Sequence, residues 1–265
     1  MAIDVDAVTK VLREAAETAV LPRFRSLAQG EVTEKSPGEI VTVADREAEE
    51  LITPRLRAIA DAPVVGEEAA SADPSLVTAL RNEPLAWVVD PLDGTRNFVR
   101  GSTDFAVMAA LVRQGRTVAA WIVRPTEGRA YVAEAGSGAW RDGTRLRREP
   151  APADPARMRG AVLSRFLGPA ARARVSAGAP RFAELGEGSH CAGVDYPLLA
   201  EGGLDFVLFH RTLPWDHAPG TLLLTEAGGV ARRLDGGDYR PDDDRVGLLD
   251  AADPAAWESA RSLLT

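Results

Sequence analysis

Apolar residues recur at three- and four-residue spacing from the start of the chain, with Val5, Val8, Val11, Leu12, Ala15, Ala16, Ala19 and Val20 forming one stripe. That period predicts an amphipathic helix within residues 4–28, with Asp4 as its cap. A loop rich in breakers, around Lys35-Ser36-Pro37-Gly38, leads into a second helical pattern that begins near Thr42 and tolerates a kink at Pro54. Asp45 falls in the first turn of that helix. Two short continuous apolar runs follow, Ala62 to Val65 and LAWVVD, and both read as buried strands. Each ends in acids: Gly66-Glu67-Glu68 after the first, Asp90-Pro91-Leu92-Asp93-Gly94-Thr95 at the end of the second. From Asp104 to Arg147 the runs DFAVMAALV, TVAAWIV, RAYVAEA and GAWRDGTRLR, separated by turns with glycine, predict an antiparallel meander with a hairpin at Asp142-Gly143.

The stretch EPAPADPARMRG, residues 149–160, reads as a linker. It divides the chain into an N-terminal α+β half, 1–150, carrying most of the candidate acids, and a C-terminal α/β half, 151–265. In the latter, strand-like GAVLSR and LDFVLF alternate with helix-like 169–178, VDYPLLAEG, WDHAPGTLLLTEAGG and DPAAWESARSLL. The fold class is therefore α/β in the broad sense, with segregated α+β and α/β parts.

With 265 residues, 45% of them hydrophobic, the chain can bury a sizeable core without staples. No run approaches the roughly 18–20 uninterrupted apolar residues of a membrane span, and the start lacks both a basic and an apolar leader segment. A cytoplasmic protein with no membrane partner is expected. The single cysteine, Cys191, excludes an intramolecular disulfide and Cys-rich zinc sites. A net charge of −8 excludes a global positive field for nucleic acid polymers. An acidic protein that handles a small anion must reverse the sign locally, and carboxylates holding divalent cations would do so.

Glu67, Asp90, Asp93 and Asp216 sit where strands end or helices begin, so three chain segments could deliver carboxylates to one place. Hard oxygen donors of that kind suit Mg²⁺ or Mn²⁺ rather than zinc. In Asp90-Pro-Leu-Asp93-Gly-Thr the proline stiffens the turn, the glycine lets backbone approach a ligand, and the threonine hydroxyl stands beside two acids. If Gly94-Thr95-Arg96-Asn97 opens a helix, its unpaired N–H groups beside those acids would bind phosphate.

Residues 66–68 (GEE), 87–98 (WVVDPLDGTRNF) and 214–229 (PWDHAPGTLLLTEAGG) resemble the three signature segments of the inositol monophosphatase family, within the lithium-sensitive, magnesium-dependent phosphatase superfamily. The resemblance runs from the loop at Lys35-Ser36-Pro37 to Gly228-Gly229 and is weakest over roughly residues 150–190. It implies a layered αβαβα sugar-phosphatase fold and a homodimer. It also implies hydrolysis of a small-molecule phosphate monoester with two or three Mg²⁺ ions, or Mn²⁺, and inhibition by Li⁺. Glu67, Asp90, the Leu92 carbonyl, Asp93 and Asp216 match the family's metal ligands, with Glu67 and Asp90 placed to share ions. Thr95 matches the residue that, with Asp45, orients and deprotonates the attacking water, and the Gly94 and Thr95 amides match the phosphate cradle.

The departures lie on the alcohol side. Phe209 stands seven residues before Asp216, where inositol-specific members carry a glutamate that binds sugar hydroxyls. The stretch Gly188 to Tyr196 also departs from the family pattern, so Ser189, His190, His210 and Arg211 are only candidate pocket residues. The expected substrate is a polyol or sugar phosphate, with histidinol phosphate, fructose 1,6-bisphosphate and a 3′-phosphoadenosine nucleotide as alternatives. His217 reads as structural, because helix neighbours point about 100° apart and cannot easily share an ion with Asp216. Cys191 reads as buried filler, Asp242 to Asp244 as a solvated turn, and Arg145, Arg147 and Arg148 as hairpin decoration. An aspartate-nucleophile phosphatase fits poorly, since two residues separate Asp90 from Asp93 and a period of two would put them on opposite strand faces. A silent binding or regulatory module on the same fold would be favoured by missing ligands, and all are present.

Overall fold

The computed structural model describes residues 3–36 and 38–265. Pro37, in the loop where the resemblance begins, lies outside the described residues. Helix α1 spans Val5–Ala15, capped by Asp4, and continues as one π turn (Ala16–Val20) and a 3-10 turn (Leu21–Arg23). The predicted stripe is its buried face, and Pro22, which has no N–H to donate, sits where helix gives way to coil. Where a loop was expected, β1 (Val32–Ser36) and β2 (Glu39–Thr42) form an antiparallel hairpin. Most of β1 is exposed on both faces, so it carries no alternation to read.

Helix α2, Val43–Ile59, starts at a capping box in which Thr42 and Asp45 bond each other's backbone, and it runs through Pro54. Strand β3 (Val64–Gly66) and the short helices α3 (Glu67–Ala72) and α4 (Ala79–Asn82) lead to β4 (Leu85–Asp93) and then α5 (Thr95–Val99). The meander is as predicted: β5 (Ala106–Arg113), β6 (Arg116–Arg124), β7 (Arg129–Glu134), β8 (Gly138–Arg141) and β9 (Thr144–Leu146). These strands make one sheet in the order β3-β4-β5-β6-β7-β8-β9, antiparallel except for β3 against β4.

Residues 147–158 carry the chain to β10 (Arg159–Val162), which is followed by α6 (Pro169–Gly178), β11 (Glu184–Gly186) and α7 (Ala192–Ala200). The remaining elements are β12 (Phe206–Phe209), α8 (Pro214–Ala227), β13 (Val230–Arg233), β14 (Leu248–Ala251) and α9 (Pro254–Leu264). A mixed sheet takes the order β11-β10-β12-β14-β13.

Strand alternation then dictates the layers. Val107, Ala109, Leu111, Trp121 and Val123 pack on α1 and α2, whereas Ala106, Met108, Ala120 and Ile122 face α7 and α8. Val207 and Phe209 cover α7 and α8 from the other side, and Phe206 and Leu208 turn to α9. The result is helices, sheet, helices, sheet, helices, the expected αβαβα arrangement. The indole N–H groups of Trp87 and Trp121 donate to the carbonyls of Ala60 and Val5, pinning α1 and the residue after α2 to the first sheet.

Two surface expectations fail. Arg148 is buried against Asp205 at 2.8 Å rather than decorating a hairpin, and Asp242 and Asp243 are paired with Arg240 and Arg245 rather than solvated. No helix among the described residues is long and apolar enough to cross a membrane.

The contact between α7 and α8 needs a glycine. A Cβ at Gly220 would lie 1.9 Å from Cδ2 of Tyr196, which is fully buried and held at its hydroxyl by His217 and Asp250. Alanine gains about 1 kcal/mol of helix propensity, but overpacking against an immobile ring costs about 1–3 kcal/mol. Gly220→Ala is therefore expected to lower the denaturation midpoint in urea, and an unchanged or higher midpoint would contradict this packing.

Candidate active site

Four acids reach one pocket from three chain segments. Glu67 is the first residue of α3, directly after β3. Its position is set by Glu49 of α2, whose carboxylate accepts from the N–H groups of Glu68 and Ala69, both at 2.9 Å, and so caps α3. Glu49 lies one helical turn after Asp45 on the same buried face of α2. Lys35 of β1 reaches across, its Nζ 2.7 Å from Glu67 and 2.6 Å from Glu68. Burial pulls the Lys35 pKa down, yet the two carboxylates outweigh it and the lysine stays firmly protonated.

Asp90 and Asp93 both lie in β4, which runs through Asp93 instead of ending at Asp90. Their register against β5 is irregular between the two residues, and both line the pocket, so strict alternation does not place them on opposite faces here. The Leu92 N–H donates to Asp90 at 3.0 Å. One oxygen of Asp93 accepts from the Gly193 N–H at 2.6 Å and from the Cys191 thiol at 3.0 Å. Cys191 is thus more than filler: burial and Asp93 keep it a thiol that orients the carboxylate. Asp216, in the first turn of α8, lines the same pocket as Asp90 and Asp93. Burial first, and then the neighbouring acids, push Asp90 and Asp216 well above the ordinary carboxylate range.

Asp45 completes the set. It is fully buried, and one oxygen is saturated by the Thr42 hydroxyl at 2.5 Å and the Thr42 N–H at 2.8 Å. Its other oxygen is 2.9 Å from the Thr95 hydroxyl, which is also 3.0 Å from the Leu92 carbonyl. Burial pushes its pKa up to about 6 against the Thr42 hydrogen bonds, helped by the charge of Glu67. Gly94 precedes α5 at φ +83°, and a Cβ there would lie 2.7 Å from the Asp104 carbonyl, so no other residue fits this turn.

The donor set fits hard divalent cations: carboxylate oxygens and a main-chain carbonyl around one cleft, with like charges that a cation would neutralise. Among the described residues no three His, Cys, Asp or Glu side chains are gathered tightly enough to hold an ion as they stand. The partners just described account for this, since Lys35 draws Glu67 and the Cys191–Gly193 turn holds Asp93.

On the alcohol side, Phe209, His190, His210 and Arg211 line the pocket. Phe209 is buried, stacked on Tyr196 at 5.3 Å and edge-on to His217 at 4.6 Å. Ser189 does not line it. Its hydroxyl donates to the Cys191 carbonyl, its N–H to Asp195 and its carbonyl accepts from Asn97, so it staples the loop before α7. Sequence reasoning missed Lys35, Glu49, Arg165 and Phe166. Only Glu49 had a local signal, its four-residue spacing from Asp45.

His217 is structural, as expected. Its Nε2 faces the Arg211 carbonyl at 3.1 Å, a group that can only accept, so the proton sits on Nε2 and Nδ1 accepts from the Tyr196 hydroxyl at 3.0 Å. The Tyr196 hydroxyl also lies 2.9 Å from Asp250, an acid that burial pushes well above the ordinary carboxylate range. Burial lowers the His217 pKa to about 3. An unfolded chain takes up this proton near pH 6.5 and the folded one refuses it, so the contribution to stability is lost as pH falls from about 6.5 towards 3. The His217 imidazole resonances are expected to show no titration between pH 8 and about 5; a midpoint between 6 and 7 would contradict the assignment.

Residues 4–263 match the inositol monophosphatase family. The chain is 32% identical over 236 residues to a Mesorhizobium japonicum inositol-1-monophosphatase, covering 81% of this chain and 79% of that protein. It is 30% identical over 248 residues to the Xylella fastidiosa protein named Nus factor SuhB, covering 91% and 86%. The solved structure of the extragenic suppressor protein suhB from Bartonella henselae superposes with a TM-score of 0.81 at 27% identity, over 98% of both chains. The chain belongs to the inositol monophosphatase family and is a phosphoric monoester hydrolase.

Proposed function

We propose that this phosphatase hydrolyses a small polyol or sugar phosphate with Mg²⁺, using water as the nucleophile. The observation that carries the reading is the convergence of Glu67, Asp90, Asp93 and Asp216 on a pocket also lined by Thr95, whose hydroxyl bonds to the buried Asp45 behind it. Glu67, Asp90, the Leu92 carbonyl, Asp93 and Asp216 would hold the ions. When bound, they supply the charge that polarises the phosphoryl oxygens and acidifies water. Inhibition by Li⁺ and a homodimeric state belong to the same proposal.

The chain's own residues move the proton. Asp45 has one oxygen committed to Thr42, which leaves the other for Thr95 alone. Burial disfavours its charged form, which makes it a stronger base than an exposed aspartate. The Thr95 hydroxyl passes its proton to Asp45 as its oxygen takes one from the attacking water. The amides of the Gly94-Thr95 turn are the groups that would receive the phosphoryl oxygens. On the far side Phe209 cannot accept a hydrogen bond from a sugar hydroxyl, so the alcohol is selected by shape and by other residues.

Asp93→Asn and Asp216→Asn are each expected to cut turnover at least about a hundredfold, a barrier increase of about 2.7 kcal/mol, since catalysis here is electrostatic. The check is phosphate release with Mg²⁺ from a panel of sugar, polyol, amino-alcohol and nucleotide phosphates. Near-normal rates in either variant would sink the ligand assignment, and no release from any ester by the native protein would sink the reaction.

A further inference from the structure

Three arginines from three segments line the mouth of the same pocket: Arg96 in α5, Arg165 in the 3-10 turn Ser164–Phe166 after β10, and Arg211 between β12 and α8. Arg165 donates to the Gly38 carbonyl at 2.7 Å. A side chain on Gly38 would meet the Nη2 atoms of Arg165 at 2.6 Å and Arg96 at 3.1 Å, so the two guanidinium groups sit side by side at the hairpin turn. The Phe166 ring is 4.8 Å from the Arg165 guanidinium and 4.5 Å from that of Arg211. Although Arg96 follows Thr95, its guanidinium reaches Gly38 and not the carboxylate cluster.

Glu34 accepts from the Gly38 N–H at 2.6 Å and the exposed Glu187 from the Ser164 hydroxyl at 2.9 Å, but among the described residues neither forms an ion pair with an arginine. Glu39 is bound to Arg211, and Lys35 is occupied by Glu67 and Glu68. Among the described residues Arg96 and Arg165 form no ion pair, and Arg165 feels Arg96 and Arg211 as repulsive neighbours with only Glu39 opposing them. Like charges held together are unfavourable by about 1 kcal/mol at 4 Å even in water, and by more near a protein surface. In a chain of net charge −8 such a gathering is not a by-product of composition. Guanidinium forks match phosphoryl oxygens two at a time. A stacking base would have to displace the two cations already on Phe166.

Resting on the phosphatase reading above, the geometry points to a second anion subsite at the pocket mouth, formed by Arg96, Arg165 and Arg211 around Phe166, that selects substrates carrying a second phosphoryl group besides the one hydrolysed. The test compares specificity constants for matched pairs with Mg²⁺, fructose 1,6-bisphosphate against fructose 1-phosphate and inositol 1,4-bisphosphate against inositol 1-phosphate. The native protein is expected to prefer the bisphosphate about tenfold or more, and Arg165→Ala, at an exposed position, to remove most of that preference. Arg96→Ala is expected to act in the same direction. Calorimetric binding of fructose 1,6-bisphosphate to the metal-free protein, weakened about tenfold by Arg165→Ala and partly restored by Arg165→Lys, reads the subsite without turnover. Equal constants for mono- and bisphosphates, or a preference untouched by Arg165→Ala, would overturn the subsite while leaving the phosphatase reading intact. Arginine-dependent binding with no hydrolysis of any ester would do the reverse.

Discussion

Mutual repulsion among buried carboxylates is the constraint on which the site depends. Asp90 and Asp45 are almost wholly excluded from solvent, and Glu67, Asp93 and Asp216 open into the same pocket. A lone ionised carboxylate moved into a protein interior costs several kcal/mol, and each like-charged neighbour adds to that. The chain holds the arrangement by giving each acid a local restraint. Thr42 fixes Asp45, Glu49 fixes the start of α3, the Leu92 amide fixes Asp90, and Gly193 with Cys191 fixes Asp93. None of these restraints neutralises the cluster. They set where each carboxylate points around the cleft, and the proposed cations would relieve the repulsion that remains.

The layered fold is what brings those restraints together. β3 and β4 run parallel, so their C-terminal ends deliver Glu67 and Asp93 to the same edge of the first sheet. Helices α7 and α8, sandwiched between the two sheets, bring Gly193 and Asp216 to that edge. The glycine contact at Gly220 and the Asp250–Tyr196–His217 chain fix α7 and α8 relative to each other. Residues far from the chemistry therefore set where Asp216 and Arg211 stand.

Much of this was legible from local pattern. The heptad-like stripe of α1, the Thr42–Asp45 cap and the alternating meander are short-range features, and so are the acids at strand ends. Features that depend on contacts between distant segments were not legible. The β1–β2 hairpin carries no alternation because most of β1 is exposed on both faces, and the irregularity between Asp90 and Asp93 is visible only in its register with β5. Ser189 looked like a pocket residue and is instead tied to Asn97 and Asp195, partners from outside its own turn. Arg148 looked exposed until Asp205, far along the chain, closed on it. The alcohol side is the extreme case, since residues 163–166, 190 and 209–211 meet only when the second sheet packs beside α7 and α8.

The central claim is that the acid cluster is built to take up divalent cations, and thermal denaturation against Mg²⁺ concentration tests it without reference to any substrate. Ligand binding to the native state alone stabilises it by about 2.7 kcal/mol at a hundredfold excess over the dissociation constant. The denaturation midpoint should therefore climb with Mg²⁺. In Asp90→Asn the metal-free midpoint should start higher, because repulsion is relieved, and respond less. A native midpoint that stays flat up to tens of millimolar Mg²⁺, on the order of the highest concentrations such a site would require, would contradict the account.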